Sequence, residues 1–400
     1  MGENVQVVYH KRKQEDGFQN RFGRDAAKTA RRFHESIPGY AVTPLAELPE
    51  LSKRLGVAGI YVKDESKRFG LNAFKGLGGS YCIGRYIGER LGIAPEELSY
   101  ERITGDEVKE QLGTITFVTA TDGNHGRGIA WAAQMLGQKA VVFMPKGSSQ
   151  ERLEHIRHLG AQASITDWNY DRTVEYAAEC EKTHGWVLVQ DTAWEGYETI
   201  PGWIMEGYTT MAAEAVEQLG QIKPTHVFLQ AGVGAMSGAV AGFLADYYQG
   251  EEQPAVIIVE PDQADCVFRT ARADDGKLHT VDGDLSTIMA GLACGVPCTT
   301  GWEHLSRCAD YFASIPDAMA AKGMRVLGNP VGEDPRIVSG ESGASAFGYF
   351  CQLMERDDLK EMREKMGLSK ESRVLFFSTE GDTDRENYRR IVWDGAYPNI

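Results

Sequence analysis

The chain has 400 residues and a formal net charge of -15. A surface that acidic repels nucleic acid and anionic membranes, so neither is an expected partner. Hydrophobic residues make up 42% and charged residues 25%, enough for one large or two modest globular domains, and seven cysteines without CxxC or metal-ligand spacing fit a reduced cytoplasmic protein with no metal site.

The first 36 residues are locally basic, but Glu15, Asp16 and Asp25 are interleaved with the cations. A solvated N-terminal segment is the expectation there. The start lacks the apolar stretch of a leader, and no run is long enough to span a bilayer. The first segment able to carry chemistry is Asn72-Ala-Phe-Lys-Gly-Leu-Gly-Gly-Ser80, which places Lys75 among small residues before an apolar helix expected from about 81. A lysine shielded from water has a lowered pKa and can attack an aldehyde. A surface lysine at a helix start is the plainer reading, although a cation is unfavourable at a helix N-terminus.

Downstream, short Val-, Ile- and Phe-rich runs at 115–120, 140–144, 187–190, 227–230, 256–259 and 374–377 read as strands buried on both faces. Amphipathic stretches at 126–136, 173–183, 203–219 and 236–248 read as helices, several ending in Leu-Gly or His-Gly. Strand, glycine-rich loop and helix in repetition predict an α/β fold with open, mostly parallel twisted sheets and helices on both faces. In such folds ligands bind at the carboxyl ends of the strands. Three strand ends carry unusual residues. After 115–120 comes Thr119-Ala-Thr-Asp-Gly-Asn-His-Gly126, whose hydroxyls and amide suit a carboxylate or phenolic oxygen. Asp122 reads equally well as a helix N-cap there, and His125 alone reads as structural. After 227–230 comes Gln230-Ala-Gly-Val-Gly-Ala-Met-Ser-Gly238, a phosphate cradle at a helix start. A nicotinamide-dinucleotide loop is its rival, with Glu260 as the ribose-binding acid. After 374–377 comes Phe377-Ser-Thr-Glu-Gly-Asp-Thr-Asp384, where Ser378 can donate to a ring nitrogen and Asp384 can cap the next helix.

These four segments, in this order, resemble the fold-type II pyridoxal-phosphate enzymes, the tryptophan-synthase-β and threonine-dehydratase superfamily. The resemblance runs from about Pro44 to Asp384 and demotes the nicotinamide reading. It implies that Lys75 holds pyridoxal 5'-phosphate and that Asn124 contacts the ring oxygen. It also implies that Gly232, Val233, Gly234, Ala235 and Met236 cradle the phosphate and that Ser378 faces the ring nitrogen. A hydroxyl at that last position does not enforce ring protonation, which suits β-elimination. The expected division is 1–80 as N-terminal segment and start of a large domain including Lys75, 81–190 as a smaller mobile α/β domain, and 191–400 as the rest of the large domain.

One departure narrows the family. Dehydratases of this class have a small residue where Asp122 stands. A carboxylate beside a site for the substrate's own carboxylate is repelled by it, unless the substrate brings an extra cation. With Asn72–Lys75, the stretch from Gln190 to Tyr197, Gly340-Glu-Ser-Gly343 and the stretch from Ser378 to Asp384, the pattern resembles the diaminopropionate ammonia-lyases. That resemblance implies elimination of 2,3-diaminopropionate to pyruvate and two ammonia, with Lys75 as base for the L-isomer and Asp122 for the D-isomer. Asp191 would be the second acidic site residue, Glu341 a structural one, and the assembly a homodimer. Asp191 read locally is a turn or cap residue. Two other readings stand: a serine or threonine dehydratase of the same fold, which would lack Asp122, and a pyridoxal-phosphate-binding regulatory protein without turnover.

Overall fold

The apolar runs become strands because their residues are buried on both faces. In the computed structural model, which describes residues 5–13, 17–121 and 123–398, the strands are β1 Gln6–Tyr9, β2 Leu45–Glu47, β3 Gly59–Asp64, β4 Thr116–Ala120, β5 Lys139–Met144, β6 Gln162–Ile165, β7 Val187–Leu188, β8 His226–Gln230, β9 Ala255–Pro261, β10 Tyr311–Ile315 and β11 Arg373–Ser378. All six expected runs are present. The four expected helices are Asn124–Met135, Tyr170–His184, Thr199–Leu219 and Ala235–Tyr247.

The chain divides into two units. One takes the chain up to Gly23, Thr43–Lys67 and everything from Met211 onward; the other takes Arg24–Val42 and Arg68–Thr210. Lys75 lies in the second unit. The first unit holds a seven-stranded sheet in the order β1-β10-β9-β8-β11-β3-β2, parallel in its interior and antiparallel at both edges. The second holds a four-stranded parallel sheet in the order β6-β5-β4-β7. No helix among the described residues is long and apolar enough to cross a membrane.

Three differences from the sequence expectations have physical causes. The described part of the N-terminal segment is not merely solvated: β1 pairs with β10, and Arg12 forms a bidentate contact with Asp310 at 2.8 and 2.6 Å. The helix Arg24–Ser36 buries Ala27, Ala30 and Phe33 on one face. The helix expected from about 81 begins at Gly76, directly after Lys75. Its early glycines lower intrinsic helix propensity, but they let other backbones come close.

In the first unit the sheet interior is fastened by aromatics. Phe228 of β8 and Phe376 of β11 are register partners with stacked rings 5.5 Å apart, and Phe350 packs on both. Such pairs contribute about 0.5–1.5 kcal/mol each beyond area burial. They align the ends of two adjacent strands that carry the glycine loop and Ser378. The same unit buries an ion pair: the Lys63 ammonium donates to Glu214 at 2.6 Å, to Thr43 O at 2.7 Å and to Gln218 at 2.8 Å, with both charged side chains fully inaccessible. Removing one partner leaves an uncompensated buried charge. Lys63→Met should lower the free energy of unfolding by about 3–5 kcal/mol in urea titrations, and adding Glu214→Leu should recover most of the loss. Equal losses in the single and double variants would contradict the pairing.

Candidate active site

In the second unit the site grows from three helices and two strand ends. Lys75 immediately precedes the helix Gly76–Arg90. Gly128, in the helix Asn124–Met135, lies against its backbone: a Cβ there would stand 2.8 Å from Lys75 O and 2.9 Å from Lys75 C. Only glycine permits that approach. On another side the Phe74 ring and Tyr208, from the helix Thr199–Leu219, face the ammonium, their centroids 5.4 and 5.7 Å from Lys75 Nζ. Such aromatic faces attract a cation. Burial pushes the Tyr208 phenol well above its ordinary pKa, so it stays protonated.

The strands β4 and β7 are parallel neighbours, so the segments leaving their carboxyl ends run side by side. Gln190 ties them together: its Oε1 accepts from Thr119 Oγ1 at 3.0 Å, and its Nε2 donates to Ala120 O at 2.9 Å. Asp191, the next residue, accepts a hydrogen bond from Lys75 Nζ as an ion pair. His125, at the start of the helix Asn124–Met135, donates from Nε2 to Val189 O at 2.8 Å. Its Nδ1 is then a bare acceptor, 3.6 Å from Asp191 Oδ2 and without a hydrogen-bond partner. Burial pushes His125 down from its ordinary pKa, with the Asp191 charge opposing, so it is neutral at about pH 7. Burial alone would raise the Asp191 carboxyl. The charge that His125 carries when protonated, the Lys75 charge and the Lys75 hydrogen bond outweigh it and hold Asp191 well below the carboxylate range. Because His125 is neutral, Lys75 is the partner that decides this. Asn124 is the first residue of its helix. Asp122 lies outside the described residues.

In the first unit the glycine loop leaves β8 and turns into the helix Ala235–Tyr247. Gly234 caps it in the left-handed region, at φ 89°, which glycine adopts without strain. Val233 O accepts from Cys298 N at 2.8 Å, which pins the loop. None of the backbone N–H groups of residues 232 to 237 has an acceptor among the described residues. Six successive unfilled donors at a helix N-terminus match the oxygens of a phosphate monoester. With a neutral hydroxyl at Ser378 in the same unit, the donor set fits the phosphate and ring of pyridoxal phosphate. Ser378 ends β11, buried, and donates to Ser339 Oγ at 2.8 Å.

The remaining candidates are structural. Glu260 accepts from Val267 N at 2.9 Å and Phe268 N at 2.5 Å, capping the helix Cys266–Ala273, so the dinucleotide reading loses its acid. Asp384 caps the helix Arg385–Val392 through Asn387 N at 2.9 Å, and Glu341 accepts from the Asn387 side chain. Tyr208 and Ser339 carry no local signal in the sequence, and Gln190 and Gln230 stand out only as the first residues of longer motifs. Only the folded chain brings Tyr208 to Lys75.

Residues 37–376 match the family of pyridoxal-phosphate dependent enzymes. The diaminopropionate ammonia-lyase of Escherichia coli strain K12 is 53% identical, the match covering 94% of this chain and 93% of that protein. That of Salmonella typhimurium is 51% identical, over 91% of both chains. The chain belongs to the diaminopropionate ammonia-lyase family. The crystal structure of the holo Escherichia coli enzyme superposes with a TM-score of 0.92 at 50% identity, covering 99% of this chain and 98% of that one. The fold-type II architecture expected from the sequence is thus shared with a member of this family.

Two consequences follow for the lysine. Gly128→Ala forces a methyl group into Lys75's backbone, which outweighs the roughly 1 kcal/mol helix-propensity gain of Gly→Ala. Its melting temperature should fall and its cofactor absorbance should weaken; a rise in stability with full absorbance would contradict the packing. Asp191 has a folded pKa below its unfolded one, so its contribution to stability is present above about pH 4 and lost as pH falls further. Asp191→Asn should therefore flatten the loss of stability of the cofactor-free protein between about pH 5 and about pH 3 in urea titrations.

Proposed function

We propose that this chain binds pyridoxal 5'-phosphate through Lys75 and eliminates ammonia from both enantiomers of 2,3-diaminopropionate. One water is consumed, and pyruvate and two ammonia are formed. The observation that carries the reading, in a chain of this family, is the Lys75–Asp191 ion pair: a carboxylate that already holds one ammonium can hold the second ammonium of a diamino acid.

When bound, the cofactor withdraws electrons from the substrate's α-carbon, which makes its proton removable and lets the β-amine depart. Residues 232 to 236 would hold the phosphate through backbone N–H groups, Asn124 would serve the ring oxygen, and Ser378 would serve the ring nitrogen. Once free of the cofactor, Lys75 Nζ accepts the α-proton of the L-isomer. Asp122 accepts that of the D-isomer, a role that rests on its place in the sequence. Asp191, released from Lys75, holds the β-ammonium and keeps the leaving nitrogen protonated. His125, fixed by Val189, orients an unprotonated Nδ1 toward Asp191 and adds no competing cation. The reading includes a small amino-acid substrate as partner and a cytoplasmic homodimer.

The test is pyruvate release from D- and L-2,3-diaminopropionate, serine and threonine, by wild type and Asp122→Asn. Wild type should prefer diaminopropionate, and the variant should lose activity on the D-isomer by at least about a hundredfold while keeping most of that on the L-isomer. Preference for serine or threonine would replace the substrate assignment with a dehydratase.

A further inference from the structure

Ser378 has one hydroxyl proton, and in this structure that proton is engaged by Ser339. The two Oγ atoms are 2.8 Å apart, with Ser378 donating, and both residues are almost completely buried. The proton of Ser339 has no acceptor among the described residues. The backbone around the pair is fixed from two directions. Gln230 Nε2 donates to Phe377 O at 2.9 Å and to Thr379 Oγ1 at 2.8 Å, bracketing Ser378. On the Ser339 side, Gly340 N donates to Glu380 O and Ser342 N to Glu380 Oε1, each at 3.0 Å. The backbone that carries both oxygens is thereby held in place. What can change is the rotation of two O–H bonds, since a hydroxyl both donates and accepts.

An unprotonated pyridine-type nitrogen is an acceptor only. Ser378 can donate to it only by releasing Ser339, and its oxygen, buried, then needs a donor in turn. Ser339 holds the uncommitted proton that fills this need. We propose that Ser339 is a positioning residue that sets the direction of the Ser378 hydrogen bond: Ser339 donates to Ser378, and Ser378 donates to the unprotonated ring nitrogen. The inference rests on the reading of Ser378 given above. In this relay one hydrogen bond polarises the next, so Ser378 becomes the stronger donor because Ser339 feeds it. Both elements are neutral, so the relay orients the ring nitrogen as an acceptor without supplying the counter-charge of a protonated ring.

The experiment reconstitutes wild type, Ser378→Ala, Ser339→Ala and Ser339→Thr with cofactor carrying nitrogen-15 in the ring, and reads the ring-nitrogen chemical shift without substrate. Ser378→Ala should move the resonance toward unbonded pyridine. Ser339→Ala should move it the same way by less, and Ser339→Thr, which keeps the hydroxyl, should restore it. Turnover of diaminopropionate by Ser339→Ala should fall about fivefold in kcat with KM unchanged. If Ser378→Ala moves the resonance and Ser339→Ala does not, the relay is overturned and the Ser378 assignment stands. If neither variant moves it, both are overturned. Far-ultraviolet dichroism and melting curves check folding. Ser339→Cys, a weaker donor of similar volume, carries the same expectation as Ser339→Ala should the alanine variant fold poorly.

Discussion

A partly buried ammonium needs a counter-charge, and much of the second unit is arranged to give Lys75 one. Asp191 is that counter-charge. It arrives because β7 lies beside β4, and the segments beyond both strands are tied by Gln190 and by the His125–Val189 hydrogen bond. Lys75 arrives because Gly128 admits its backbone at a distance that any side chain would forbid. The pairing reconciles two opposing demands. A lysine needs shielding from water to become a nucleophile, and shielding alone would also neutralise the aspartate. The Lys75 ammonium holds Asp191 ionised despite its burial.

In the proposed reading the first unit solves a different problem, that of holding a doubly charged phosphate without a dedicated cation in the loop. It uses backbone donors. Parallel strands end in loops that lead into helices, and the helix Ala235–Tyr247 begins at a left-handed glycine that leaves its first N–H groups unfilled. The aromatic register pair Phe228–Phe376 keeps β8 and β11 aligned, so the phosphate loop and the Ser378 segment share one edge of the sheet. Gln230 then bridges them directly.

Much of this was legible in the sequence for physical reasons. Strands buried on both faces are continuous apolar runs, so β4, β5, β8, β9 and β11 stand out within a residue or two of their bounds. Glycines that serve a phosphate cluster together, and so the 232–236 loop stands out too. Three of the four edge strands, β1, β2 and β6, were not legible. β1 and β2 are short and only partly buried, and so carry no apolar run. The helix at Gly76 was read too late, because glycines there signal a loop when seen locally and close packing when seen in the fold. Tyr208, Gln230 and Ser339 act through contacts with residues far away in the chain, and no spacing rule reaches them. The narrower resemblance came from the departure at Asp122 together with the motifs around it, and the meaning proposed for that departure is charge balance with a substrate rather than local structure.

The central claim is that Lys75 is the lysine that carries the cofactor. The chain supplies its own control, because Lys63 is more deeply buried but gives its protons to Thr43, Glu214 and Gln218. The direct measurement is borohydride reduction of the loaded enzyme, followed by proteolysis and mass spectrometry of the modified peptide. The account predicts a pyridoxyl-phosphate adduct on the peptide containing Lys75 and none on that containing Lys63. An adduct on Lys63, or on any lysine other than Lys75, would contradict it.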